Sequence, residues 1–550
     1  MNVRQIGWLI GWLPVYASWA ADGIGTVKPL QVPRPSSRPA PEFNAPKPPI
    51  SDAQPLSQQL FVYVKRIKIQ GNTVFSETQL APIIDKYQNR ELSADDLRQL
   101  RHELTLFYID QGYINSGAVL PEQTIKNGEL SVQIVEGKLT DIDLQGLSHL
   151  HEHYLTSRIQ KNIENQPLDI NKLQTNLQLI QQNRLIERIN AELGPGLQPG
   201  ESVLRAQVKE ARPWYMTLGG NNNGVPSVGA ERFETWAGHA NVLGFGDAFD
   251  GHFNISDGQL QYDFSYSIPL TRWDTRFSVA YQRSEADVVE EPFDQLNIFN
   301  EMEAFALGIS QPIWQTLEDE IKLDVTVEHR RSQSFLLDEP FSFSRGSIDG
   351  EGNVSVVRFG QEWLHRTAAQ VVAIRSVASW GVDALGSTMH PRGSKLPDSD
   401  FFVWLGQIQW IQLLWNSGVE MHWRGDVQIA ASSLLSLEQF TLGGRHSVRG
   451  YRQNQSVTDS GFSTTLEFRI PIIANGMVKL APFYDIGRAW NVDWPASKPQ
   501  VLHSVGIGVL IEPSKQIHAE FYWAHSFRNT QNTSEDLQDD GIHFSVAYSL

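Results

Sequence analysis

Leu260-Gln261-Tyr262-Asp263-Phe264-Ser265-Tyr266-Ser267-Ile268 alternates without a break between apolar or aromatic side chains and polar ones. Successive side chains of an extended chain point to opposite faces, so this stretch predicts a strand with one face in apolar surroundings and the other in polar ones. Ile321, Leu323, Val325 and Val327 repeat the pattern against Lys322, Asp324, Thr326 and Glu328. Phe544, Val546, Tyr548 and Leu550 repeat it against Ser545, Ala547 and Ser549 at the end of the chain. Each segment has the length a tilted strand needs to cross a bilayer.

Sixteen such segments begin near residues 214, 231, 247, 259, 274, 302, 320, 353, 367, 402, 420, 460, 477, 501, 515 and 540. A soluble sandwich or propeller would show the same period with its polar face toward water. Tryptophan separates the two readings: residues 21–213 hold none, and every Trp outside the first twenty residues lies at or beyond Trp214. Amphipathic rings confined to the alternating region suit the interfacial girdles of a membrane barrel. The expectation for residues 211–550 is therefore a membrane all-β barrel of about sixteen antiparallel strands.

The composition agrees with that class. The chain has 550 residues, a net charge of -17, a pI near 5.4 and a mean hydropathy of -0.30, which argue against a basic nucleic-acid binder. Cysteine is absent, which excludes disulfide frameworks, thiolate nucleophiles and Cys-ligated metals. Beyond the first twenty residues no stretch has the apolar run of a membrane-spanning helix.

Upstream of the barrel the chain changes character three times. Residues 1–20 carry Arg4, an apolar run and a small-residue end at Ser18 and Ala20, the layout of a signal peptide. Residues 21–57 hold Pro29, Pro33, Pro35, Pro39, Pro41, Pro46, Pro48, Pro49 and Pro55, a Pro-rich linker in extended conformation. Residues 58–137 predict a strand over Val62–Ile69, two helices, the second capped by Ser93 and stopped at Gly112, then strands over 114–120 and 129–135. Residues 138–210 restart that β-α-α-β-β order, so two tandem small α/β domains precede the barrel.

Between the strands near 420 and 460 runs Glu438-Gln439-Phe440-Thr441-Leu442-Gly443-Gly444-Arg445-His446-Ser447-Val448-Arg449-Gly450-Tyr451. A long polar loop in such a barrel is ordinarily extracellular. Arg449, beside turn-permissive Gly450, also suits a loop tucked into the lumen, where a guanidinium needs carboxylates. Asp485 in Phe483-Tyr484-Asp485-Ile486-Gly487 shares parity with Phe483, and a carboxylate on such a strand is costly unless turned inward and paired. An Arg449–Asp485 pair satisfies both groups.

With these residues quoted, the chain resembles the two-partner secretion outer-membrane transporters, the TpsB or haemolysin-activator family. The loop motif Gly443, Gly444, Arg445, Val448, Arg449, Gly450 and Tyr451 carries the resemblance. So do the barrel-wall motif Phe483, Asp485 and Gly487 and the flanking strand motif Glu467, Arg469 and Pro471. Gly112, Tyr113, Leu120, Pro121, Glu122, Gln123, Glu136 and Gly137 look like the first POTRA domain of that family.

The resemblance implies two periplasmic POTRA domains and a sixteen-stranded barrel in the outer membrane of a Gram-negative cell, with Arg449 on the folded-back loop contacting the Asp485 strand. It implies export, without ATP, of a large β-helical, TpsA-like exoprotein captured through its N-terminal secretion domain, and leaves activation of that partner open. Outer-membrane lipid is a further partner, as are periplasmic chaperones and the barrel-assembly machinery during biogenesis. Nucleic acid is not a partner, and the chain is read as no enzyme, with no cofactor and no metal. The alternative is a barrel assembly or insertion factor of the same superfamily; a passive porin would not need the α/β repeats. Residues 21–57 depart from the family by lacking the pattern of a plug helix.

His149, His151 and His153 lack the spacing of a metal motif, and Asp349-Gly350-Glu351 lacks the ordered ligands of a calcium loop. A strand or loop edge and a hairpin turn are the preferred readings.

Overall fold

The computed structural model describes residues 61–550 apart from 415–416, 474–475, 497, 529 and 531–534, together with the dipeptide Phe43–Asn44. The expected signal peptide and, save that dipeptide, the expected linker lie outside the described residues. The chain divides into an N-terminal unit ending at Ala211 and a C-terminal unit over Arg212–Leu550.

In the N-terminal unit, residues 62–137 fold as strands Val62–Val64 and Arg66–Gln70, helix Glu77–Ile84, strand Arg90–Leu92, helix Ala94–Asp110, and strands Gly117–Val119 and Glu129–Val135. The second helix starts at Ser93, whose hydroxyl accepts from Asp96 N at 3.1 Å while the Asp96 carboxylate accepts from Ser93 N at 2.8 Å, a reciprocal capping box. Leu100, Leu104 and Tyr108 recur every fourth residue, so one helix face packs on Ile67, Ile69, Leu130, Val132 and Ile134 of the sheet. The strand expected over Val62–Ile69 is two strands, because Val62–Val64 leaves the sheet to pair with Arg90–Leu92. The strand expected from Ile114 begins only at Gly117: Asn115 Nδ2 instead donates to Gly200 O and Ser202 Oγ, and Ser116 Oγ accepts from Gly137 N.

Residues 138–210 repeat the plan, with strand Lys138–Gln145, helices Glu152–Ile159 and Ile170–Gln182, and strands Ile186–Pro195 and Glu201–Glu210. One device recurs in both halves. A Cβ on Gly71 would lie 2.4 Å from Ile134 O and one on Gly146 2.3 Å from Val208 O, so the turns after Arg66–Gln70 and Lys138–Gln145 each need glycine to approach the last strand of their repeat. Past that turn Glu136 accepts from Thr73 N and Val74 N at 2.7 and 2.9 Å and from Tyr108 Oη at 3.0 Å. Glu210 likewise accepts from Ser148 N, His149 N and Leu150 N at 2.7, 3.0 and 3.0 Å. His149 thus belongs to this turn, and His151 is the N-cap of the next helix.

Burial works against the Glu210 charge, yet the amides of Leu150, Ser148 and His149 hold its carboxyl below the usual carboxylate range. A depressed folded value gives stability that is present above the unfolded pKa of about 4.3 and is lost as pH falls through the lower folded value. Glu210→Gln should therefore blunt the acid-induced loss of protease resistance in urea of residues 138–210. An unchanged acid profile would remove this carboxylate from the stability of the unit.

Phe43–Asn44 lies parallel to Ala191–Glu192, at the edge of the sheet formed with strands Ile186–Pro195, Glu201–Glu210 and Lys138–Gln145. The Pro-rich stretch is not a bare tether at that point.

The C-terminal unit is a closed antiparallel barrel of sixteen strands. They are β1 Trp214–Asn221, β2 Arg232–His239, β3 Ala248–Ser256, β4 Gln259–Pro269, β5 Arg276–Asp287, β6 Phe299–Gln315, β7 Asp319–Leu336 and β8 Glu351–Arg366, continuing as β9 Gln370–Val382, β10 Phe402–Leu414, β11 Val419–Ala430, β12 Ser460–Pro471, β13 Val478–Trp490, β14 Val501–Ile511, β15 Ile517–Ser526 and β16 Ile542–Ser549. Each starts within three residues of its expected position. The barrel closes where Thr217–Asn221 of β1 pairs with Ser545–Ser549 of β16. The hairpin reading of Asp349-Gly350 holds: Asp349 has φ 50° and Ile348 bridges to Glu351.

The alternation sets the two faces. On β4 Gln261 and Asp263 are buried inside while Phe264 is exposed outside; on β6 Met302, Ala304 and Ala306 face in and Phe305, Leu307 and Ile309 face out. An apolar outer belt over a lined interior is what hydrocarbon outside and polar surroundings inside require. No described helix is long and apolar enough to cross a membrane.

Candidate functional site

The connection between β11 and β12 spans residues 431–459 and turns into the lumen. Its first limb ends in a turn at Ser436–Glu438, after which Phe440–Leu442 pairs antiparallel with Ser456–Thr458 to make a hairpin. Gly443 and Gly444 leave the hairpin at φ 109° and 94°, in the left-handed region, and a Cβ on Gly443 would lie 2.5 Å from Arg452 O. Phe440, Leu442, Val448 and Tyr451 are buried with Ala489 of β13 and Leu502 of β14.

Arg449 is 2% exposed at the centre of this packing. Its Nε and Nη2 donate to both oxygens of Asp485 at 2.8 and 2.9 Å, its backbone N donates to Asp485 Oδ2 at 3.1 Å, and Nη1 donates to Glu467 Oε2 at 2.6 Å. The guanidinium carbon lies 3.4 Å from the Phe483 ring centroid and 4.7 Å from that of Tyr522. Two ion pairs, a bidentate fork and two aromatic faces together satisfy a charge that would be costly to bury alone.

The strands explain how these groups meet. Glu467 and Arg469 occupy the inward parity of β12, Phe483, Asp485 and Gly487 that of β13, and Glu520 and Tyr522 that of β15. Arg469 Nε donates to Glu467 Oε1 at 2.8 Å and Tyr522 Oη to the same oxygen at 3.2 Å, so Glu467 joins β12 and β15 to the loop. Arg445 pairs with Glu520 and lies over the Tyr522 ring at 4.3 Å. Gly450 N donates to His543 Nε2 at 3.1 Å, and Tyr451 Oη donates to His503 O at 3.0 Å.

Small residues on the wall make the fit possible. A Cβ on Gly506 would lie 2.4 Å from the Phe483 ring, one on Gly508 2.3 Å from the Tyr522 ring, and one on Gly487 2.4 Å from Leu442 Cδ1 and 2.8 Å from Phe462 O. Gly487→Val should therefore displace the hairpin, at a cost of about 1–3 kcal/mol. The check is protease cleavage within residues 440–458 of the inserted barrel, which should rise; unchanged cleavage would mean that this wall position does not seat the loop.

The expected Arg449–Asp485 pair is present, with Phe483 against the guanidinium. Val448 and Tyr451 are buried in the adjoining cluster, and Arg445 lies over the neighbouring Tyr522 ring. Gly450 follows on the loop, Gly487 seats Leu442, and Gly443 and Gly444 lie farther along the loop, against Arg452 and Gln453. Pro471 does not join them: it faces Lys479 near the turn after β12. Sequence reasoning named Glu467 only as part of a flanking strand and did not name Glu520 or Tyr522. Their signal was the same parity that selects Asp485, since outward Leu466, Phe468, Phe521 and Trp523 put both carboxylates inside.

In the N-terminal unit the expected residues do structural tasks. Gly112 O and Gly137 O accept from Ile170 N and Leu168 N at 3.0 and 2.7 Å, joining the two repeats. Tyr113 and Leu120 pack on the first core, Gln123 exchanges two hydrogen bonds with the Ser131 backbone, Glu136 is the cap described above, and Pro121 and Glu122 lie near or at the surface.

Residues 200–511, more than half of the chain, match the family described as haemolysin secretion/activation protein ShlB/FhaC/HecB. The chain belongs to the ShlB/FhaC/HecB family. Residues 62–137 match the ShlB-type POTRA domain. Among relatives, the outer membrane transporter CdiB of Dickeya dadantii is 22% identical over 465 residues, covering 82% of this chain and 80% of that one. The heme/hemopexin transporter protein HuxB of Haemophilus influenzae is 21% identical over 445 residues, covering 77% and 75%. The solved structure of CdiB from Escherichia coli superposes with a TM-score of 0.66 at 19% identity over 92% of this chain and 93% of that one. BamA from Haemophilus ducreyi, lacking its first three POTRA domains, gives 0.54 at 12% identity over 89% and 100%. Those superpositions establish the fold; the ShlB/FhaC/HecB match establishes the family.

Proposed function

We propose that this chain is an outer-membrane transporter that receives a large secreted partner protein in the periplasm and passes it through the barrel without ATP. The observation that carries this is the lumen loop: a motif of the family, folded into the barrel and held by a buried Arg449 on two carboxylates. A passive pore has no need of such a buried lock, and the relatives that span most of this chain are named as transporters. The likeness to BamA is one of fold, so the assembly-factor reading has no observation of its own.

The domain plan belongs to the same proposal: signal peptide 1–20, linker 21–57, POTRA domains over 58–137 and 138–210, and barrel 211–550. The partner is a TpsA-like exoprotein whose N-terminal secretion domain is captured by the POTRA domains, by strand addition at sheet edges. Chaperones of the periplasm and the barrel-assembly machinery deliver the chain to the lipid. Gly443–Tyr451, Glu467, Arg469, Phe483, Asp485 and Gly487 form the gate.

Deleting the gene in its host and comparing the proteins of the culture medium tests the reading. One large polypeptide should disappear and return on complementation with the intact gene. A medium unchanged by deletion, with other outer-membrane barrels depleted instead, would favour an assembly role.

A further inference from the structure

Arg449 is not the only charge by which the lumen loop is held. Glu438, on the limb that leads into the hairpin, is 7% exposed and faces a different arc of the wall. Arg358 Nη2 of β8 donates to its Oε1 at 2.7 Å, and Arg330 Nη1 of β7 lies 3.6 Å from the same oxygen while donating to Leu437 O at 3.0 Å. Glu328 of β7 closes the group, accepting from Arg330 Nε at 2.7 Å and from Arg358 Nε at 3.1 Å. Two arginines thus face two carboxylates, and the loop supplies one of the carboxylates.

The Arg449 group has the complementary composition. Arg449 and Arg469 face Glu467 and Asp485, and there the loop supplies a guanidinium to β12 and β13. One anchor therefore lies on β7 and β8 and the other on β12 and β13, with β9–β11 between them in the ring. The limb also carries Leu434, Leu435 and Leu437, which are buried with Met302 of β6, Val354 and Val356 of β8, and Val403 of β10. Those wall residues point into the lumen, where an open water-filled channel would leave them wet.

We propose that Glu438, with Arg330 and Arg358, is a second latch, made of positioning residues that hold the lumen loop across the barrel and must release for cargo to pass. Withdrawal of the limb separates one loop carboxylate from two wall arginines and exposes an apolar strip, so the closed state is favoured from both ends of the loop. Release at Arg449 alone leaves the limb across the lumen. The proposal rests on the transporter reading.

Two measurements on the full-length chain test it. In planar bilayers, Glu438→Gln should raise the open fraction about tenfold, a shift of about 1.4 kcal/mol toward the open state. The double variant E438Q/R358Q should be no more open than the worse single variant. That arm needs no partner, so its failure bears on the latch and not on the transporter reading. Because the chain has no cysteine, Leu437→Cys with Val356→Cys gives two unique sites for a short thiol cross-linker. Cross-linked cells should lose export of the polypeptide that depends on this gene, while each single-cysteine variant treated with the same reagent exports it. Export at the wild-type level from the cross-linked barrel overturns the latch, as does an E438Q channel as closed as the wild type. Should E438Q fail to insert, the cross-link decides, since its substitutions leave the charge cluster in place.

Discussion

Arg449→Ala should abolish or sharply reduce secretion of the partner while the barrel still inserts and retains heat-modifiable migration. The substitution leaves Glu467 and Asp485 in a buried site with Arg469 as the only guanidinium still paired with Glu467 there, and an uncompensated buried charge costs about 3–5 kcal/mol. It also removes the group seated on Phe483 and Tyr522, so the hairpin loses its seat on β13 and β15. The barrel wall keeps every ladder hydrogen bond, which is why insertion survives. Secretion at the wild-type level by this variant would take the loop out of the mechanism.

The second large effect is expected at Asp485. Asp485→Ala removes both oxygens of the bidentate fork and the acceptor of Arg449 N, leaving the guanidinium on Glu467 alone. Secretion should fall in the same direction as with Arg449→Ala. The instructive measurement is R449A/D485A: if the two groups act as one unit, the double variant is no worse than either single one. It should be milder than R449A in its effect on loop protection, because one of the two stranded carboxylates is gone. Losses that simply add would mean that the residues act separately.

The barrel was legible because its physics is local. Hydrocarbon outside and a polar interior write a period of two into every strand, and Gln261 and Asp263 inside against Phe264 outside is that period made visible. The Arg449–Asp485 pair was legible for a related reason: a carboxylate at Asp485 has only one affordable orientation, and the loop offers an arginine. Glu438 stood in the quoted loop, but its pairing was not legible. Its partners Arg330 and Arg358 lie on strands far upstream, and nothing in the spacing between them brings the three together before the barrel closes. The break between Val64 and Arg66 was hidden too, since the apolar pattern runs straight through a point where the backbone changes partners. Phe43–Asn44 shows the limit of composition, because a proline-rich stretch can still lend two residues to a sheet edge.

The proposed transport passes through a barrel whose lumen loop is released without nucleotide. The most direct test places the purified chain in vesicles, with its POTRA domains facing the unfolded partner and no nucleotide present. The partner should become protease-protected inside vesicles bearing the wild-type chain and stay exposed with Arg449→Ala. A partner left outside by the wild-type chain, or carried equally well by the variant, would contradict the proposal.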